Sequence, residues 1–253
     1  MNDLFIGGGG FSGIMFIGVL DYLHNNNLLE LKRFYGCSIG SLIGILYISG
    51  REPKDILNFF LELDLKALVK YDITNISNNN CILNEDLFNK LVSYIPGDVI
   101  TIKDFVDVYK IDINIHTTNI TDNVYNFFNI NTSPNVNIRE AIKASMSIPF
   151  LFAPINIDNK MHIDGCCKNI YGSPTKDIYI SGYSIIFEPY ESNDYFSRVF
   201  HSLINRDLPN TKYLIRCSCE ADVSKYFKLG ELDKRQSKLL YLSGIKKCIE
   251  TLE

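Results

Sequence analysis

Ser38 stands in Gly36-Cys37-Ser38-Ile39-Gly40, a G-x-S-x-G pattern with the strand-like Phe34-Tyr35 before it and an unbroken apolar stretch, Leu42 to Ile48, after it. In a nucleophile elbow the flanking glycines (here Gly36 and Gly40) permit a tight strand-to-helix turn that exposes the serine hydroxyl at a helix start. The helix N-terminus adds partial positive charge beside that hydroxyl. The chemistry this predicts is acyl transfer through serine. Taken alone, the same five residues fit equally well a serine capping a buried helix.

A second feature bears on the same chemistry. Attack on an ester carbonyl builds negative charge on its oxygen, which preorganised backbone N–H groups stabilise and side chains would obstruct. The run Gly7-Gly8-Gly9-Gly10 follows the apolar Leu4-Phe5-Ile6, so Gly8, Gly9 and Gly10 are the candidate oxyanion donors. The spacing Gly8-x-Gly10-x-x-Gly13 also matches a dinucleotide fingerprint. That fold places an acidic residue at the end of the second strand to hold a ribose, and this chain has Gly36-Cys37-Ser38 there.

A serine nucleophile needs a base. Asp164, in Ile163-Asp164-Gly165 at a strand end, is the candidate, because an ionised carboxylate is an acceptor that can take the serine proton when its surroundings raise its basicity. An Asp-Gly pair on its own is an ordinary turn. His162 lies two residues earlier on the same strand face, where a packing role is expected. His201 would be the partner in the serine, acid, histidine order, but no motif surrounds it. Cys217 and Cys219 share a strand face without the further ligands zinc requires, so core packing is expected. Lys246 and Lys247 flank the apolar stripe of the last helix and could touch anionic lipid, although a packed helix fits the pattern better.

The elements that must position these residues alternate. Leu4 to Ile6 reads as a strand, Gly13 to Leu23 as a helix, Phe34-Tyr35 as a strand and Leu42 to Ile48 as a buried helix. Pro53 suits the first turn of a helix carrying Ile56, Leu57, Phe60 and Leu61. Helices are predicted around residues 87–92, 105–109, 139–145 and 229–252, and strands at 111–115, 161–163, 183–187 and 213–215. Such alternation predicts an α/β fold, a mostly parallel central sheet with helices on both faces in three layers.

The chain of 253 residues is read as one domain, with the motifs in a core of about residues 4–175 and a less certain part from about 190 to 253. A net charge of −4 offers no basic footprint for nucleic acid. Seven cysteines, an odd number without a regular framework, point to a reducing compartment. The first residues lack a basic start and a long apolar run, so no secretory signal is expected, and no stretch reaches the length of a membrane span. A cytoplasmic protein, at most peripheral at membranes, is expected.

Taken in order, these segments resemble the patatin-like phospholipase family. Gly8-Gly9-Gly10-Phe11-Ser12-Gly13 with Ile17-Gly18-Val19-Leu20 is similar to its first motif and trailing helix, and Gly36-Cys37-Ser38-Ile39-Gly40-Ser41-Leu42 to its nucleophile motif. The segment from Ala141 to Pro154 resembles the stretch leading to its Asp-Gly motif, here Asp164-Gly165. Ser12 stands where the family usually carries Arg or Lys, and Cys166 where it usually has Gly or Ala. The resemblance implies a Ser38–Asp164 dyad without histidine and an oxyanion hole from Gly8, Gly9 and Gly10; no cofactor or metal is expected. The implied activity is hydrolysis of fatty acyl esters of phospholipids or lysophospholipids through an acyl-enzyme. The missing charge at Ser12 leaves open a lipid-binding or regulatory protein without turnover.

Overall fold

The first strand, β1 (Asp3–Ile6), is buried along its whole length, and its side chains alternate between two apolar clusters on opposite sheet faces. Leu4 and Ile6 join the larger cluster with Phe34, Ile113, Ile115 and Ile185. Phe5 joins Tyr35, Cys37, Ile180 and Ile186. This alternation is what a strand covered on both faces requires. The computed structural model describes residues 2–68, 81–175, 177–188, 205–218 and 234–253. His201 and Cys219 lie outside these residues.

After β1 come a 3-10 turn (Gly10–Gly13), α1 (Ile14–Asn25), β2 (Arg33–Cys37), α2 (Ile39–Ile48), α3 (Pro53–Glu62) and the short α4 (Leu65–Leu68). Then follow α5 (Asp86–Val92), α6 (Ile102–Tyr109), β3 (Asp112–Asn119), β4 (Val124–Asn129), α7 (Ile138–Met146), β5 (Ile155–Ile157) and β6 (Lys160–Asp164). The last described elements are β7 (Tyr179–Glu188), β8 (Asn210–Ser218) and α8 (Lys234–Leu252). Pro53 opens α3 as expected. The final helix begins at Lys234 among the described residues, and residues 229–233, expected to start it, lie outside them.

The sheet runs β5-β6-β3-β2-β1-β7-β8, with β4 also on β3. β1, β2, β3, β7 and β8 are parallel neighbours, whereas β4, β5 and β6 are antiparallel. The fold is therefore α/β with a mostly parallel, mixed central sheet. β4 and β5 are two strands that periodicity does not reveal. Asn126 and Asn129 interrupt the apolar alternation of β4, and β5 has only three residues.

The register of β3 decides where the candidate residues fall. One edge of β3 carries β4 along residues 114–119. The other edge is shared: β2 occupies residues 112–116, ending with Cys37 opposite His116, and β6 takes over at Thr117, opposite Asp164. Where the chain leaves β2 at Ser38, Asp164 fills the next position of the ladder.

Candidate active site

Ser38 occupies the turn between β2 and α2 with φ 52 and ψ −133. A non-glycine residue rarely adopts this conformation, and it costs on the order of 1–3 kcal/mol. The surroundings enforce it. The Ser38 N–H donates to Ser145 Oγ at 2.9 Å, Ser145 Oγ donates to the His116 carbonyl at 2.6 Å, and Ser41 Oγ donates to the Ser38 carbonyl at 2.6 Å. A Cβ on Gly40 would overlap the carbonyl oxygens of Ile6 and Gly7, so only glycine lets the first turn of α2 seat against the end of β1. Gly36 similarly leaves room for the Phe34 ring and for Ser41. The two elbow glycines thus serve backbone approach, both with ordinary φ.

The Ser38 hydroxyl donates to Asp164 Oδ2 at 2.6 Å. The other carboxylate oxygen accepts from the Cys166 N–H at 2.8 Å, and the Asp164 N–H donates to the Ser147 carbonyl at 2.9 Å. Both side chains are almost fully enclosed, Ser38 at 5% and Asp164 at 2% exposure. Burial raises the Asp164 carboxyl to about 6, against the opposing pull of the hydrogen bonds from Ser38 and Cys166. A carboxylate poised there is basic enough to accept a proton near neutrality yet still ionised at pH 7.

Of the three glycines expected to stabilise an oxyanion, Gly8 is buried beside Ser38, Gly9 is partly exposed and Gly10 is exposed with φ +51. A Cβ on Gly8 would stand 3.2 Å from Ser38 Cβ and would overlap the Cys166 sulfur. Among the described residues, neither the Gly8 nor the Gly9 N–H donates to a protein acceptor. The structure therefore brings Gly8 to the serine and leaves Gly10 at the outer end of the loop. Ser12 is buried in the turn that follows, with its N–H bonded to the Gly9 carbonyl at 3.0 Å.

His162 does not reach the pair. Its Nδ1 hydrogen-bonds Thr117 Oγ1 at 3.0 Å and its ring lies against Phe128. Burial lowers its pKa, so it is neutral and packed. Lys246 and Lys247 both face Glu250, at 3.7 and 3.0 Å. Cys217 is a buried core thiol.

Three residues matter here that sequence patterns did not single out. Ser145 braces the turn, and only its place on the buried face of α7 hints at this. His116 pairs with Cys37 in the ladder, donates through Nδ1 to the Gly172 carbonyl at 2.8 Å, and is pushed down to about 4 by burial. Cys37 itself, next to Ser38, has its sulfur 3.7 Å from that of Cys166. Cys37 Sγ, Cys166 Sγ and an Asp164 oxygen form the cluster of metal-capable donors found among the described residues.

Comparison with known proteins bears on the family and the fold. The patatin-like phospholipase family matches residues 4–170. Uncharacterized protein R571 of Acanthamoeba polyphaga mimivirus is 26% identical over 172 residues, covering 65% of this chain and 58% of the viral protein. Probable lipid hydrolase 463L of Invertebrate iridescent virus 6 is 27% identical over 174 residues, covering 65% and 59%. The chain thus spans about three fifths of the length of these relatives. Among solved structures, VipD from Legionella pneumophila superposes with a TM-score of 0.62 at 14% identity, covering 99% of this chain and 66% of VipD. The type III effector ExoU of Pseudomonas aeruginosa superposes with a TM-score of 0.55 at 17% identity, covering 99% and 52%. At these identities the two structures speak to the fold.

Proposed function

This chain belongs to the patatin-like phospholipase family, and from that premise we propose that it hydrolyses fatty acyl esters of phospholipids or lysophospholipids with Ser38 as nucleophile and Asp164 as base. The observation that carries the reading is the 2.6 Å hydrogen bond from Ser38 Oγ to Asp164 Oδ2 at the tip of the elbow.

In this reaction Asp164 takes the hydroxyl proton as Ser38 Oγ attacks the ester carbonyl, and the charge on the carbonyl oxygen is met by N–H groups of the Gly8–Gly10 loop. Collapse of the tetrahedral intermediate breaks the bond to the lipid alcohol, which receives the proton from Asp164, and leaves an acyl-Ser38 ester. Water then attacks that ester, giving a proton to Asp164, and the fatty acid departs as Ser38 Oγ takes that proton back from Asp164. No side chain besides Ser38 and Asp164 has to change protonation, and the backbone donors only hydrogen-bond the developing charge. The relative described as a probable lipid hydrolase supports this substrate class.

The test is release of fatty acid from phospholipid and lysophospholipid vesicles of varied head group by the wild type and by Ser38→Ala. Turnover by the wild type alone supports the reading, and equal release by both excludes Ser38. The uncharged Ser12 favours a second reading, a lipid-binding protein without turnover. Its signature would be vesicle binding unaffected by Ser38→Ala and Asp164→Ala, with no fatty acid released by any form.

A further inference from the structure

The sulfur atoms of Cys37 and Cys166 flank the carboxylate that the hydrolytic reading uses as its base. Cys37 closes β2, Asp164 closes β6, and Cys166 follows in a 3-10 turn tied to Asp164 Oδ1 by its own N–H at 2.8 Å. Both thiols are free. Their sulfurs are 3.7 Å apart, and with an Asp164 oxygen the three donor atoms lie within 4.8 Å of one another.

The sulfur spacing suits a metal ion, with the carboxylate oxygen, within 4.8 Å, closing in to complete the set. Two thiolates bound at about 2.3 Å to a tetrahedral zinc ion stand about 3.8 Å from each other, and a carboxylate oxygen at about 2.0–2.2 Å is an ordinary third ligand. A disulfide would instead require the sulfurs to close to about 2.05 Å. Three protein ligands with an open fourth position are a common zinc arrangement, and thiolate donors favour soft or borderline cations over magnesium or calcium. Cys166 is less buried than Cys37.

We propose that Cys37, Cys166 and Asp164 form a binding site for a thiophilic divalent cation of the zinc class, and that filling it switches off the Ser38–Asp164 dyad. On binding, each thiol loses its proton to solvent and forms a metal–sulfur bond, while the Asp164 carboxylate donates a lone pair to the ion. No oxidation state changes. The carboxylate's charge is then drawn to the ion, and the base is no longer free to take a proton. The switching half rests on the hydrolytic reading, whereas the binding half stands on the donor geometry.

The experiment uses the full chain, stripped of metal and held reduced with a phosphine, titrated with cobalt(II) as a spectroscopic stand-in and then with zinc. Expected are a thiolate-to-cobalt charge-transfer band and tetrahedral ligand-field bands, both displaced by zinc. They should be lost in Cys166→Ala and in Cys37→Ala and kept in Cys167→Ala. In parallel, zinc should abolish fatty acid release from phospholipid vesicles by the wild type, with recovery on chelation. Cys166→Ala should hold its own zinc-free rate when zinc is added. Absence of the charge-transfer band, or its persistence in Cys166→Ala, overturns the site. Full turnover with the band saturated overturns the switch. A metal-free wild type without turnover contradicts the hydrolase reading instead, and the cobalt spectrum still decides the site.

Discussion

Cys37 and Asp164 hold successive ladder positions on one edge of β3, Cys37 opposite His116 and Asp164 opposite Thr117. A parallel strand thus ends where an antiparallel one begins, and the chain that leaves the ladder at Ser38 does so against the carboxylate that replaces it. The proposed dyad is a consequence of register. Shifting β6 by one residue would turn Asp164 to the opposite sheet face.

The proposal makes Asp164 indispensable and His162 dispensable. Asp164→Asn keeps the shape and removes the base, so turnover should fall by about 10²–10⁴-fold. His162→Ala removes a ring bonded to Thr117 and packed on Phe128, and should leave most of the turnover while lowering stability. Steady-state kinetics with a melting curve for each variant checks both. The reverse ranking would assign the base to histidine.

The pH profile should follow the buried carboxyl. With Asp164 raised to about 6, kcat/KM should climb as that group loses its proton and level off above about pH 7. Stability should run the other way. The folded state holds this proton more tightly than the unfolded chain, whose aspartates titrate near 3.9, so this residue's contribution to stability falls as pH rises from about 4 through about 6. Asp164→Asn should therefore gain in relative melting temperature across that interval. A pH-independent difference between wild type and variant would contradict the raised value.

Gly8 is where the glycine loop meets Ser38. In Gly8→Ala the new methyl overlaps the Cys166 sulfur and crowds Ser38, so turnover should drop by about 10²–10³-fold, the loss typical of a displaced oxyanion donor. Combining it with Cys166→Ala removes the overlapping atom and should recover part of the loss. No recovery in the double variant would place the damage elsewhere.

The strained turn should register in stability. Ser38→Gly and Ser38→Ala both remove the hydroxyl, but only glycine adopts φ 52, ψ −133 without penalty. The glycine variant should be the more stable by about 1 kcal/mol in denaturant unfolding. Equal stability would show that the backbone relaxes at this site.

Much of this molecule is legible in its residues. Gly36-Cys37-Ser38-Ile39-Gly40 and the glycine run mark strand-to-helix turns because backbone approach there excludes side chains, and the apolar runs of α1 and α2 mark buried helices. The meeting of Ser38 with Asp164 is not legible in the same physical sense. It depends on β6 taking over the edge of β3 from β2, and on β4 and β5, whose asparagines and shortness hide them. Ser145 and His116 are hidden for a related reason, since one sits in an amphipathic helix and the other in a strand of mixed polar and apolar residues, and their partners are distant backbone groups. Cys166 stands out as unusual beside Asp164, but its contact with Cys37 and its place against Gly8 exist only once the sheet has formed.

The most direct test of the central claim is covalent. A fluorophosphonate probe, followed by peptide mapping, should modify Ser38, with the adduct absent in Ser38→Ala and strongly reduced in Asp164→Asn. A folded wild type that resists the probe and turns over no acyl ester, or one that carries the adduct on another serine, would contradict it.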